Sequence, residues 1–221
     1  SYGRVSRYGL IAYASSLDCV GVLARHAEDL ALWLKAVQGQ DPSDPTSAAA
    51  TADQPFVGDN LAGLRVGLPW QLNGPGIDPE IASAIKTATD TLRSLGATIV
   101  ECSLPTVEHA VATYYLIAGA EASSNLSRYD GVRYGKRREG QKRLETMMSS
   151  TRTAGFGREV QLRVLLGTFA LRAGYQDEFY GQATRVRDLL RRDFQAAFQQ
   201  CDVLLSPTSP VLPFALGSHI G

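Results

Sequence analysis

The stretch LRVGLPWQLNGPGIDPEIASAIKTATDTLRSLGATIVEC, residues 64–102, decides the fold. Leu64 to Leu68 is a short apolar run closed by Pro69, the pattern of a strand that stops where a backbone donor is lost. Asn73-Gly-Pro-Gly76 turns the chain, and Asp78 followed by Pro79 predicts a helix N-cap with proline at the first helical position. Ile81, Ile85, Ala88, Leu92 and Leu95 then line one helical face until Gly96, and Ala97 to Cys102 is a second strand. Strand, helix and strand in this order make a crossover unit, which places the two strands parallel.

Working outward, Leu23, Ala27, Leu30, Ala31, Leu34 and Val37 predict an amphipathic helix from Ala24 to Gln38, with Glu28 and Asp29 in its first turn and Gly39 past its end. Residues 1–22 are expected to form loops and one or two short strands. Residues 40–63 carry Asp-Pro twice and few large apolar side chains, and are expected to be a long surface connection. Beyond the crossover unit, helices are expected over Thr106–Arg128, Glu139–Ser149, Gly157–Ala173 and Gln176–Gln199, with a turn at Tyr129–Gly135. Asp202 to Ser206 is expected to be a buried strand ending in Pro207-Thr-Ser-Pro210. The class is α/β, a sheet covered by helices. The whole of 1–221 is expected to be a single partial domain, since the chain opens on Ser1 rather than Met and the last strand leaves a sheet wanting more strands.

The chain has 221 residues with 44% hydrophobic and 20% charged side chains, a composition that excludes collagen-like, coiled-coil and disordered classes. Its 22 Lys and Arg balance 22 Asp and Glu, so net charge points to neither nucleic acid nor membrane. The balance is uneven: Arg128 to Arg192 holds 15 basic and 7 acidic residues, a net +8 offset elsewhere. Solvated helix faces explain such a run more often than an anionic partner does. The best apolar run, Val164 to Leu171, is interrupted by Gly167 and Thr168 and falls short of the ~20 residues a bilayer requires. Cys19, Cys102 and Cys201 are far apart in sequence and read as buried thiols of a reducing compartment.

Chemistry is scarce. His26, His109 and His219 stand apart from other metal-ligating residues, so no metal is expected. Phosphate-binding glycine loops and a Gly-x-Ser-x-Gly elbow are absent. Two small polar clusters stand out, Ser15-Ser-Leu-Asp18 and Glu121-Ala-Ser-Ser-Asn125, but a serine needs a base within reach, and loop and cap roles for these hydroxyls are the commoner outcome.

The residues do carry a resemblance. Tyr2-Gly-Arg-Val-Ser-Arg-Tyr-Gly-Leu10 followed by Ala14-Ser-Ser-Leu-Asp18 resembles the amidase signature family just downstream of its nucleophile. Asp41-Pro-Ser-Asp-Pro-Thr-Ser47, the run from Glu121 to Gly135, and Gly155-Phe-Gly-Arg-Glu-Val160 through Leu166-Gly-Thr-Phe-Ala-Leu171 are similar, within that family, to the A subunits of tRNA-dependent amidotransferases serving glutamyl-tRNA(Gln) or aspartyl-tRNA(Asn).

The resemblance implies an α/β/α sandwich around a mixed sheet and a Ser, cis-Ser, Lys triad lying upstream of Ser1, so no catalytic residue is expected in this chain. It implies glutamine hydrolysis through an acyl-enzyme, with ammonia passed to a B subunit that amidates the misacylated tRNA using ATP and Mg, in a heterotrimer with a small C subunit. The cytoplasm, or an organellar matrix, is the implied location, with no membrane partner and no cofactor in this chain. Two substrate contacts carry over: Arg163 to the glutamine carboxylate, and Tyr114. The acidic residue that reads the amino group is expected beyond Gly221. This sequence departs from the family at Cys19, Val20 and Val22, where Gln, Ile and Pro are usual, and at Ser206, where Gly is usual. The alternatives are an amidase-signature hydrolase of another small amide, and a non-catalytic binding or scaffold paralogue.

Overall fold

The structure, a computed structural model, describes residues 2–49 and 60–218. Its elements run α1 (Ala27–Val37), β1 (Arg65–Pro69), α2 (Pro79–Ser94), β2 (Thr98–Cys102), α3 (Ala110–Asn125), α4 (Leu144–Gly155), α5 (Arg158–Ala170), α6 (Gln182–Gln200) and β3 (Val203–Leu204). Two compact units divide them, one of Ser1–Gln54 with Ala112–Thr184 and one of Pro55–Val111 with Arg185–Gly221. No helix among the described residues is long and apolar enough to cross a membrane.

The second unit contains the crossover. β1 pairs in parallel with β2, Arg65 opposite Thr98 through Pro69 opposite Cys102, and with β3, Val66 opposite Val203, giving the order β2-β1-β3. Asp78 caps α2 as its residue type requires, its side chain accepting from the Glu80 N–H at 2.9 Å. Gly96 ends the excursion at φ +98, a left-handed conformation that glycine adopts without penalty. Gly67, in the central strand, has no room for a side chain: a Cβ there would lie 2.6 Å from Cys201 Sγ and 3.2 Å from Cys102 Sγ. Cys102 and Leu104 are buried with Ala197 of α6, and Leu72, Val107, Phe194 and Leu204 pack around them. All three described strands are parallel, and the α/β class stands; one isolated antiparallel bridge, Val5 to Gln38, belongs to the first unit.

Several boundaries differ from expectation, each for a local reason. The strand expected over Asp202–Ser206 is two residues long and not buried, with Val203 exposed, and it pairs with β1 only at Val66 and Gly67. Arg65 grips its start: the guanidinium donates to Asp202 Oδ1 at 2.7 Å and the backbone N–H to Oδ2 at 2.8 Å. The helix expected over Glu139–Ser149 begins only at Leu144, since Gly140 sits at φ +89 and breaks the helical run. α1 starts at Ala27 because His26 is extended, and its expected apolar face is only half-covered at Leu30 and Leu34. The helix expected from Gln176 opens with a wide π turn, Asp177–Gly181, before α6. Cys19 is exposed, whereas Cys102 and Cys201 are buried.

The connection expected over 40–63 lies outside the described residues at 50–59, as does His219. Its beginning is an ordered turn rather than a loose surface segment. Asp44 is buried, and accepts from the Arg7 N–H at 2.8 Å and from the Thr46 N–H and hydroxyl at 2.9 and 2.7 Å. Asp130 is similarly buried at the Tyr129–Gly135 turn, accepting from the N–H groups of Val132 and Arg133 at 2.8 and 2.9 Å.

The Thr46 hydroxyl, with the Arg7 and Thr46 N–H groups, holds the Asp44 carboxyl at about 2, and the Arg133 and Val132 N–H groups do the same for Asp130. A folded pKa below the unfolded one stabilises the fold fully above about pH 4, and that contribution is lost as pH falls through about 2. In the full-length protein, thermal midpoints should therefore drop between about pH 4 and 2, and Asp130→Asn should flatten that drop. An Asn variant with an unchanged slope would show that Asp130 contributes nothing to it.

Candidate functional site

The candidate site belongs to the first unit and is set by how closely two helices approach. α3 and α5 meet at Gly119 and Gly167. A Cβ on Gly167 would collide with the Gly119 carbonyl and lie 2.8 Å from the Ala120 nitrogen, so the two backbones are in direct contact there. Tyr115 stands one turn before Gly119 on α3, and Arg163 one turn before Gly167 on α5. The same close crossing brings these two side chains together: Arg163 Cζ lies 4.3 Å from the centre of the Tyr115 ring. A cation over an aromatic face is attracted by the ring quadrupole, and the stacking fixes the plane of the guanidinium.

A second contact fixes its direction within that plane. Arg163 Nε donates to Glu159 Oε1 at 2.7 Å, an i,i+4 pair on α5 with the acid N-terminal, the favourable orientation. The Arg163 side chain is only 18% exposed. Its Nη1 is buried and has no hydrogen-bond partner. A buried cationic N–H without an acceptor is unfavourable, and a carboxylate is the ligand group that best satisfies a guanidinium edge. The hydrogen bond to Glu159 raises the Arg163 pKa further, so the cation persists at every physiological pH.

Tyr13 completes the cluster from a distant part of the sequence. Its N–H donates to Asp18 Oδ2 at 3.0 Å and its carbonyl accepts from Asn125 Nδ2 at 3.1 Å, which pins the residue from both sides. Burial pushes its phenol pKa up, and the charge of Arg163 beside it opposes that rise. The phenol is therefore neutral at neutral pH.

Of the two residues carried over from the resemblance, Arg163 occupies the centre of this cluster. Tyr114 lies at its edge, T-shaped against Tyr115 with ring centres 5.5 Å apart and 46% exposed; the ring under the guanidinium is that of Tyr115. The two polar clusters singled out separately in the sequence come together here. Ser16 donates to Glu121 through both its N–H, at 2.8 Å, and its hydroxyl, and Asn125 Nδ2 donates to Ser15 Oγ at 2.9 Å. These bonds tie the 13–18 turn to α3, the role in loops expected of such hydroxyls. Glu159 had a readable signal, its spacing from Arg163, but Tyr115 was indistinguishable from Tyr114, and nothing local to Tyr13 announces a partner 150 residues away. Among the described residues no group of three or more His, Cys, Asp or Glu is placed to hold a metal ion.

An α/β crossover unit and a guanidinium site carried on two glycine-apposed helices occur here in a chain that belongs to the amidase family, whose model matches residues 1–220. The chain is 50% identical over its full length to the A subunit of the glutamyl-tRNA(Gln) amidotransferase of Anaeromyxobacter dehalogenans, and 50% identical over 98% of its length to that of Azotobacter vinelandii, covering 45% of each. Among solved structures it is similar to the A subunit of the glutamyl-tRNA(Gln) amidotransferase of Thermotoga maritima, with 32% identity and a TM-score of 0.72 over the whole chain and 43% of that protein. It is also similar to the peptide amidase PAM in complex with chymostatin, with 26% identity and a TM-score of 0.68 over 94% of the chain and 44% of that protein. The chain thus spans about half the length of the relatives it matches.

Proposed function

We propose that this chain is the central to C-terminal portion of the glutaminase subunit of a tRNA-dependent amidotransferase, acting in the cytoplasm or an organellar matrix. In this reading the intact subunit hydrolyses glutamine through an acyl-enzyme on a Ser, cis-Ser, Lys triad outside residues 1–221. The ammonia passes to a B subunit, which converts Glu-tRNA(Gln) or Asp-tRNA(Asn) to the amidated form, with a small C subunit completing the heterotrimer. ATP and Mg belong to the B subunit's step, as does most of the tRNA contact, and no step at the site described above runs through them.

The observation that supports the reading is the Arg163 guanidinium, stacked on Tyr115 with a buried, unsatisfied Nη1, at the position where the family resemblance puts the arginine that holds the glutamine carboxylate. Such a group orients the substrate rather than attacking it: fixing the α-carboxylate places the side-chain amide for a nucleophile held elsewhere. Tyr114, at the edge of the cluster, is the second substrate contact of this reading.

The test is purification of the full-length protein from its source with whatever subunits accompany it, followed by amidation of misacylated tRNA with glutamine or ammonia as donor. Co-purifying subunits and amidation from both donors are expected. Amide hydrolysis by a protein without partners would favour a small-amide hydrolase, and an inactive protein with partners bound would favour a scaffold paralogue.

A further inference from the structure

Tyr115, Glu159 and Tyr13 surround the Arg163 side chain, and each meets a different part of it. The flat face lies on Tyr115, and the Nε edge is occupied by Glu159. Tyr13 stands beside the cation, and Nη1 is buried without a hydrogen-bond partner. Resting on the reading of Arg163 as a carboxylate site, we propose that Glu159 is its positioning residue, turning the guanidinium so that the Nη edge, and not the Nε edge, is offered to the substrate carboxylate.

Glu159 does little for the stability of its own helix. It is 67% exposed, and an exposed i,i+4 ion pair adds little to helix stability. Its effect therefore falls on direction. An arginine side chain has much rotamer entropy to lose on being held, and a guanidinium already held loses less of it when a ligand arrives. Tyr115 restrains the tilt of the group, and the hydrogen bond at Nε restrains the side-chain torsions that would otherwise swing it across the ring. Without Glu159 the unsatisfied N–H turns toward water or a backbone carbonyl, and the substrate must turn it back.

Electrostatics oppose this role, so the sign of the effect is diagnostic. Glu159 is itself an anion close to the place where a second anion binds, and repulsion alone would make its removal improve binding. Glu159→Gln removes the charge and keeps an oxygen within reach of Nε, whereas Glu159→Ala removes both. If orientation governs, the Ala variant binds the carboxylate more weakly and the Gln variant does not.

The experiment uses the full-length enzyme with its partner subunits and steady-state hydrolysis of L-glutamine and of L-glutamine α-methyl ester, which has no α-carboxylate. Expected is a rise of about fivefold in KM for glutamine with Glu159→Ala, kcat little changed, Glu159→Gln within about twofold of the parent enzyme, and no comparable change in KM for the ester. A lower or unchanged glutamine KM in Glu159→Ala overturns the proposal, and so does an equal loss on both substrates, the mark of a general structural role. Arg163→Ala run alongside separates the two layers. If it raises KM for glutamine but not for the ester while Glu159→Ala does nothing, the positioning role fails and the carboxylate site stands; if it affects both substrates alike, the carboxylate site fails and the positioning role with it.

Discussion

Gly167→Ala should destabilise the full-length protein by about 3 kcal/mol, although alanine is the better helix former by about 1 kcal/mol. The sign follows from what stands opposite. A Cβ at Gly167 would enter the Gly119 carbonyl, a backbone group of a packed helix that has no rotamer to change. Relief requires α3 and α5 to separate, and with them the Ile117, Ala118 and Ala120 side chains that are buried along α3. Gly119→Ala is the control on the same crossing. Its Cβ would meet the Arg163 carbonyl at 3.5 Å and Gly167 nitrogen at 3.6 Å, ordinary contact, so stability should stay level or rise by up to about 1 kcal/mol. Denaturant melts of the two variants check this directly: a Gly167→Ala protein as stable as its parent would mean that the helices do not touch backbone to backbone. Because Arg163 rides one turn from Gly167, residual folded Gly167→Ala should also bind glutamine poorly.

Arg163→Ala should raise KM for glutamine about a hundredfold in the full-length amidotransferase, the result of truncating one member of a desolvated charge pair at a loss of about 2–5 kcal/mol. Ammonia-driven amidation should lose far less, since ammonia needs no carboxylate anchor. Arg163→Lys should recover only part of the glutamine affinity: an ammonium keeps the charge but neither fills the two-pronged geometry of a carboxylate nor lies flat on Tyr115. Parallel assays with the two nitrogen donors decide the matter. Equal losses with glutamine and with ammonia would remove Arg163 from substrate binding and leave it a structural residue of α5.

What could be read from the sequence was what depends on near neighbours. Asp78-Pro79 at a helix start, Gly96 at its end and the apolar runs on either side are interactions within a few residues, and they yield β1, α2 and β2 in parallel almost to the residue. Where an expected boundary failed, a conformation chosen by wider context had intervened. Gly140 in the left-handed region delays α4, and β3 meets β1 over only two residues. The turn at Asp44 shows the same limit. Asp-Pro-Ser-Asp-Pro reads as loose surface, but the backbone N–H of Arg7 binds the second aspartate and buries it.

The site divides along the same line. Arg163 was identified through family resemblance, and the i,i+4 pair with Glu159 is a local property of α5 that spacing alone contains. Its surroundings are not local. Tyr115 in place of Tyr114 beneath the guanidinium, Tyr13 beside it and the joining of Ser15 and Ser16 to Asn125 and Glu121 all depend on the distance and rotation between α3 and the elements packed on it. That distance is set by Gly119 and Gly167, two residues whose meaning in sequence is only a weak point in each helix. The sequence by itself determined the α/β class, the crossover unit and the local helical pairings, because these are energies between residues a turn or a strand apart. Only the tertiary structure decided which aromatic ring supports Arg163 and which of its edges is left to a ligand, because two helices must first be brought into backbone contact before those side chains have neighbours at all.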